Sequence, residues 1–422
     1  MWIKFLSYNS LIVITKLISS FVVSKVTAIY LGPSGYALVG NFKNVIQILQ
    51  GLTSSGFESG TIRHIAEHSD EKPYLKKVIS SVVIFSLILS IFASILLAIF
   101  SQNLSEFTFK TTEYAYIFRC LAILLPFISV NFLVLYIING LQKLKTYAKL
   151  VSLVSVTNAL LTFGLVYIFK LNGALIAIVS VSVITLFLSL VFKDVRFVLS
   201  QVVFSIKQMS LTIIKSMSVY VLMAAYSTVL ISVVYLLVRN KIINSYDETI
   251  AGYWEAVNKI SAFYMMFFTS VFTLYLLPNL SKNKTQNGYK LFMAHYFKRL
   301  IPLLLIMFLA LFLMRFFVIK LFLTEDFLEI EQYFYLQFIG DFIKIIGFSL
   351  ACQFHAKRMV IAYFISDAII YISLYILSFY FIKSFNLVGV FYAHIISCSL
   401  YLIAVSLFIF TQNKKYLDVQ SK

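Results

Sequence analysis

The sequence has 422 residues, of which 61% are hydrophobic and only 12% charged, with a formal net charge of +18. Soluble domains carry about 25% charged residues, and one soluble core stops growing at a few hundred residues, so this composition excludes a soluble globular protein. The positive charge reads as membrane topology and not as a nucleic-acid footprint, because cytoplasmic loops of membrane proteins accumulate Lys and Arg.

At roughly 20 residues per crossing, the apolar runs predict helices near 8–31, 37–57, 78–100, 114–139, 150–169, 172–192, 216–238, 250–277, 300–322, 333–354, 360–382 and 388–410. The expected fold is an all-α integral membrane protein of twelve transmembrane helices, in two six-helix lobes covering 1–207 and 208–422. The first apolar region carries Lys16 and Lys25 and is too long for a cleaved signal peptide, so it reads as a span. "GPSG" (32–35) is expected to be a tight turn between the first two spans, with Pro presetting one backbone angle and Gly accepting unusual ones. "GYALVGN" (35–41) and "GYWEAVN" (252–258) open the second and eighth spans with Gly-Tyr and share an Asn at the same offset. That echo fits two halves related by an axis along the membrane normal.

Loop charge sets the orientation. Lys and Arg concentrate at both termini and in alternate loops beginning with 58–77. The opposite set of loops carries only Lys110, Lys170, Arg239, Lys241 and Lys383, together with the acidic "TEDFLEIE" (324–331). Both termini are therefore expected in the cytoplasm. The loops are too short for an extramembrane domain. Cys120, Cys352 and Cys398 lie in apolar runs without CxxC or Cys/His spacing, so neither a disulfide framework nor a zinc site is expected. His355 and His394, lone residues in or near spans, read as packed or interfacial.

Charges inside spans are the informative feature. Each costs roughly 2.5–3.5 kcal/mol at mid-bilayer and usually faces a bundle interior or a wet cavity. Lys16, Lys25, Lys43 and Arg119 lie in the first half, whose spans contain no acid. In the second half Glu255 and Lys259 are spaced to pair on one helix face, as are Asp341 and Lys344; Asp367 has no local partner. Gly40, Lys43, Gln47, Gln50 or Gly51, and Ser54 form one polar stripe on the second span, and Lys16, Ser20, Ser24 and Thr27 a weaker one on the first. Such stripes line cavities or mediate helix packing, and Lys16, Arg315 and Lys320 have the option of snorkelling to an interface. Cations in a dry wall are expensive, and an anionic guest such as a diphosphate would offset that cost through charge-assisted hydrogen bonds.

"KVTAIYLGPSGYALVGNFKNV" (25–45) resembles the Gly-Pro-x-Gly…Asn-Phe-Arg/Lys region of bacterial polysaccharide flippases, the O-antigen and enterobacterial common antigen (lipid III) translocases. "SVFTLYLLPNLSK" (270–282) and "LQFIGDFIKIIGF" (336–348) are similar to later segments of that family, in the same order. The resemblance implies a member of the multidrug/oligosaccharidyl-lipid/polysaccharide exporter superfamily: two lobes around a central cavity, alternating access, no catalysis and no cofactor. The implied cargo is an undecaprenyl-diphosphate-linked oligosaccharide, moved from the cytoplasmic to the periplasmic leaflet of the inner membrane. Membrane lipids are the other implied partner, and a polysaccharide polymerase and a chain-length regulator are candidate protein partners.

Lys16, Lys25, Lys43, Arg119 and Arg315 fall where that family commonly has basic residues, and with Asn41 and Gln47 they make up the expected diphosphate and sugar site. Asp341 and Lys344 match the family's Asp and Lys, and Glu255 and Lys259 lie outside its pattern. These four and Asp367 are the expected coupling or gating residues. The alternatives are a lipid II-type flippase and a cation-coupled drug antiporter of the same superfamily. An antiporter should place acids in the first lobe. A membrane polymerase or glycosyltransferase should show large outer loops or a carboxylate pair.

Overall fold

The computed structural model describes the backbone at residues 2–68, 71–205, 209–282, 286–357 and 359–420. Every regular element among them is helical. The helices are α1 (Trp2–Thr53), α2 (Glu58–Glu67), α3 (Lys72–Ile99), α4 (Ser101–Phe109), α5 (Ala115–Gly140), α6 (Leu144–Ser189), α7 (Lys193–Ser200) and α8 (Leu211–Ser245). They continue as α9 (Glu248–Val271), α10 (Leu277–Lys282), α11 (Gln286–Leu313), α12 (Arg315–Phe322), α13 (Phe334–Ala356), α14 (Val360–Phe385) and α15 (Val388–Gln420).

Nine stretches among the described residues are long and apolar enough to cross a membrane. Two of them, Ser10–Thr53 and Leu144–Ser189, run to 44 and 46 residues. At about 1.5 Å per residue each is roughly twice the thickness of a ~30 Å hydrocarbon core. Each is broken once, α1 at Gly32 (φ 63°) and α6 at Lys170 (φ 51°), so each supplies two crossings. Helix α9, with 24 residues, is also long enough to span. The architecture is that of an all-α, multi-pass membrane protein and is consistent with twelve crossings.

The breaks share a design. Gly32, Lys170 and Asn386 all have positive φ, and each is followed three residues later by glycine: Gly35, Gly173 and Gly389. A Cβ on Gly173 would stand 1.9 Å from the Leu165 carbonyl oxygen, and one on Gly389 would stand 2.3 Å from that of Phe381. The returning helix therefore starts against the carbonyl end of the one before it, where no side chain fits. The expected turn at 32–35 is present as this hairpin. Gly32 (φ 63°, ψ −169°) occupies a backbone region that is essentially glycine's alone. Nothing lies within 4 Å of a Cβ built there, so substitution meets a conformational and not a steric obstacle. Gly32→Ala is expected to cost about 1–3 kcal/mol, seen as a lower melting temperature of the detergent-solubilised protein.

The chain divides into two compact units, Met1–Leu236 and Leu237–Lys422, with the division inside α8. The boundary expected from sequence, 207/208, lies outside the described residues. In the first unit α1 packs along α6, α3 along α5, and α5 along α6. Its core gathers Phe42, Phe118, Leu121 and Leu125 in one cluster, and Ile65, Ile79, Ile137 and Met217 in another. The first part of α8 closes this unit. Gly51 abuts Thr228 and Val229, and Gly60 abuts Met217, so small residues let the helices approach. In the second unit α15 packs between α13 and α14.

Candidate functional site

The first unit carries the cations singled out from sequence. Along the helical hairpin, Lys43 lies about 16 Å from the Gly32 turn, Lys25 about 10 Å and Lys16 about 24 Å. Lys43 is therefore near the middle of a ~30 Å hydrocarbon layer and half-buried, as is Lys25. Lys16 is exposed, near the opposite end of its crossing from Gly32. Its charge reaches Glu58 at the start of α2: the protein packed around that carboxyl raises its pKa, and Lys16 draws it back down. Lys16 thus has an acidic neighbour, which lies outside the spans.

Arg119 stands in the second turn of α5, exposed, and its Nε donates to Ser101 Oγ (3.2 Å). It belongs to the end of the bundle and not to its middle. Asn41 is fully buried and its amide donates to the Thr108 carbonyl (3.0 Å), which ties α1 to α4. Gln47, one helical turn beyond Lys43, keeps solvent contact and accepts from Ser232 Oγ (3.3 Å) on α8. The polar stripe on the second crossing is therefore divided in use. Gly51 serves packing against α8, while Lys43 and Gln47 present polar atoms on the same face.

The second unit places its charges differently from expectation. Glu255 makes its ion pair with Arg239, and Lys259 stays within its electrostatic reach. Arg239, read as a loop residue from sequence, lies inside α8 with 1% of its side chain exposed. Its guanidinium also stacks over the Trp254 ring (5.5 Å). Lys259 Nζ instead lies 5.7 Å from the Phe263 ring centre. Arg315 Nε is bound to Glu331 (2.6 Å), from the acidic 324–331 segment, and Lys320 pairs with Glu325 at the surface. Arg315 therefore has a carboxylate counter-charge supplied by the protein.

Asp341 is fully buried and stands at the centre of a hydrogen-bond network. It accepts from Ser261 Oγ (2.6 Å), Gln337 Nε2 (2.9 Å) and the Tyr264 hydroxyl, and it pairs with His394 Nε2 (3.1 Å). Ser261 and Tyr264 come from α9, Gln337 from α13 and His394 from α15, so one carboxylate fastens three helices. Lys344, expected to pair with Asp341 on the same helix face, acts on it through space, with its Nζ 5.6 Å from the Phe348 ring centre. A Cβ on Gly340 would sit 2.3 Å from the His394 ring: the glycine before the aspartate makes room for the imidazole. Sequence reading missed His394, Ser261, Tyr264 and Gln337, and the signal available was the Gly-Asp dipeptide itself. Asp367 is also buried, within electrostatic reach of Tyr401. The second unit also contains an open groove of ≈ 590 Å³ between α9 and α11, lined by Val271, Tyr275, Phe292, His295 and Arg299.

Comparison with known proteins places this arrangement. The chain is 23% identical over 354 residues to proteins named lipid III flippase in Escherichia coli (strain K12) and Shigella flexneri, covering 84% of this chain and 85% of each relative. Its fold matches an inward-facing multidrug resistance MATE family transporter of the MOP superfamily, with a TM-score of 0.75, 16% identity, and coverage of 94% of this chain and 96% of that one. It also matches the lipid II flippase MurJ in an inward closed conformation, with a TM-score of 0.74, 17% identity, and coverage of 96% and 87%. Residues 3–284 match the family described as "Polysaccharide biosynthesis protein", and the chain belongs to that polysaccharide biosynthesis family.

Proposed function

We propose that this protein is a flippase that moves an undecaprenyl-diphosphate-linked oligosaccharide, of the O-antigen or enterobacterial common antigen class, across the inner membrane by alternating access. The observation that carries the reading is Lys43, a half-buried cation at mid-membrane depth in a member of this family. A diphosphate offers that depth a doubly useful partner: it neutralises lysine charge and accepts several hydrogen bonds. Lys43 and Lys25 hold the diphosphate, and Gln47 contacts the head group beside them. Asn41 and Arg315 are committed to Thr108 and Glu331, and serve the site at most indirectly. Lys16 and Arg119, nearer the two ends of their spans, guide the head group in and out.

For coupling or gating, Asp341 and Asp367 are the buried carboxylates to consider, since Glu255 is neutralised by Arg239. The distribution of Lys and Arg puts both termini in the cytoplasm, and with them the chain ends of α1 and α15. The turns at Gly32 and Lys170 then face the periplasm; they lie side by side, with Lys170 Nζ 4.7 Å from the Tyr30 ring centre. A polysaccharide polymerase and a chain-length regulator are the partners that would receive the cargo.

The test is lipid-linked oligosaccharide analysis of a deletion strain. A defined undecaprenyl-diphosphate glycan should accumulate on the cytoplasmic leaflet and clear when the gene is restored. Accumulation of lipid II alone would move the assignment to peptidoglycan precursor transport, and no accumulation with altered drug tolerance would move it to an antiporter.

A further inference from the structure

Helix α2 joins the second crossing to α3 and lies outside the spans. Its last turn and C-cap carry His64, Glu67 and His68, which share one helix face by their spacing. One ligand-capable atom from each lies within 4.8 Å of the others. The hydrogen bonds around them fix where the lone pairs are. The Ser216 hydroxyl donates to the Ile213 carbonyl (2.7 Å), so toward His64 Nε2 (3.0 Å) it acts as acceptor. That puts the His64 proton on Nε2 and leaves Nδ1 bare, and Nδ1 is buried without a hydrogen-bond partner. His68 Nδ1 faces the His64 carbonyl (3.1 Å), which only accepts, so His68 carries its proton on Nδ1 and its lone pair on Nε2. Glu67 Oε1 accepts from Arg63 Nε (2.7 Å) in an exposed ion pair, and its second oxygen is left to offer.

We propose that His64, Glu67 and His68 form a binding site for a borderline divalent transition metal, zinc foremost. Two imidazole nitrogens and one carboxylate are a donor set that such ions favour, with water completing the coordination. The supporting contacts have the form that metal-bound histidines use, each ring donating its other N–H to an oxygen: His64 to Ser216 on α8, His68 to the α2 backbone. A tetrahedral ion with bonds of about 2.0–2.1 Å needs donors about 3.4 Å apart. The donors lie within 4.8 Å of one another, so that spacing asks for side-chain adjustment only, and Glu67 is exposed and His68 half-buried. The bound ion would brace the end of α2 against α8 through His64 and Ser216, at the point where Gly60 and Met217 already bring the two helices together. The segment His64-Ile65-Ala66-Glu67-His68 contains no cysteine, so it shows none of the Cys/His spacing that marks a zinc site in sequence.

The test uses the full-length, tag-free protein in detergent, titrated with zinc in competition with a chromophoric chelator. The expected result is one saturable zinc per chain, with affinity reduced at least tenfold in His64→Ala and in His68→Gln and reduced less in Glu67→Gln. Zinc should raise the melting temperature of the wild type and leave that of His68→Gln unchanged, which separates loss of a ligand from loss of fold. X-ray absorption at the zinc edge should show a nitrogen/oxygen shell with imidazole scattering. Absence of saturable binding, binding equal in all three variants, or a sulfur shell from Cys120, Cys352 or Cys398 would each overturn the proposal. None of these readouts depends on transport, so the result stands apart from the flippase assignment.

Discussion

Lys43→Gln is expected to reduce transport to background while leaving protein abundance and helicity intact. The two halves of this expectation have separate physical grounds. A charged lysine at mid-bilayer depth carries a penalty of roughly 2.5–3.5 kcal/mol on insertion scales, so its neutral replacement should leave the melting temperature unchanged or raise it. Transport should fail because glutamine keeps a hydrogen-bond donor but removes the charge that a diphosphate needs. Lys43→Arg, which keeps the charge, should restore at least part of the activity. Arg315→Gln is the contrasting variant: Arg315 is bound to Glu331 and partly exposed, so its loss should cost less than ~1 kcal/mol and spare transport. Complementation of a flippase-null strain, with membrane protein quantified in parallel, reads both. A Lys43→Gln protein that complements fully would remove the diphosphate role. One that disappears from the membrane would show Lys43 to be structural.

Local features of the chain were legible, and long-range ones were not. The apolar runs located the crossings because a bilayer demands about 20 such residues whatever their neighbours are. The turn at Gly32 was legible because proline and glycine have backbone preferences of their own. The turn at Lys170 falls where the apolar runs 150–169 and 172–192 part, but its form was not legible: it puts a lysine at φ 51°, where lysine has no preference. Charge pairing was legible only in part, for the opposite reason: Lys259 and Lys344 do lie within electrostatic reach of Glu255 and Asp341, but the ion pairs are made with other residues. Helical spacing proposed Glu255 with Lys259 and Asp341 with Lys344, since periodicity sees only one helix at a time. The structure instead pairs Glu255 with Arg239 from the preceding helix, and Asp341 with His394, 53 residues away. The shared Asn of the two Gly-Tyr segments shows the same limit: Asn41 bonds across to Thr108, whereas Asn258 turns back to the Trp254 carbonyl of its own helix.

Asp341→Ala is expected to destabilise the second unit by about 3–5 kcal/mol, the usual consequence of removing one member of a buried charged pair. The carboxylate is fully buried, and the groups that point at it come from α9, α13 and α15. Without it, Ser261, Tyr264, Gln337 and His394 face an apolar methyl, and each buried donor left unmade adds to the cost. The imidazole should suffer most, because its buried Nε2 loses the carboxylate oxygen it faces at 3.1 Å. This gives a sharper test than the single variant. Once Asp341 is gone, His394 is a liability, so His394→Ala should cost less in the Asp341→Ala background than in the wild type, and the two effects should fall short of their sum. Gly340→Ala should reproduce part of the loss without touching either charge, since its methyl would occupy the space of the His394 ring, which would have to back away from Asp341. Thermal unfolding of the four proteins of the cycle measures the coupling directly. Strict additivity would mean that Asp341 and His394 are neighbours without being partners, and the three-helix junction would then owe its stability to packing alone.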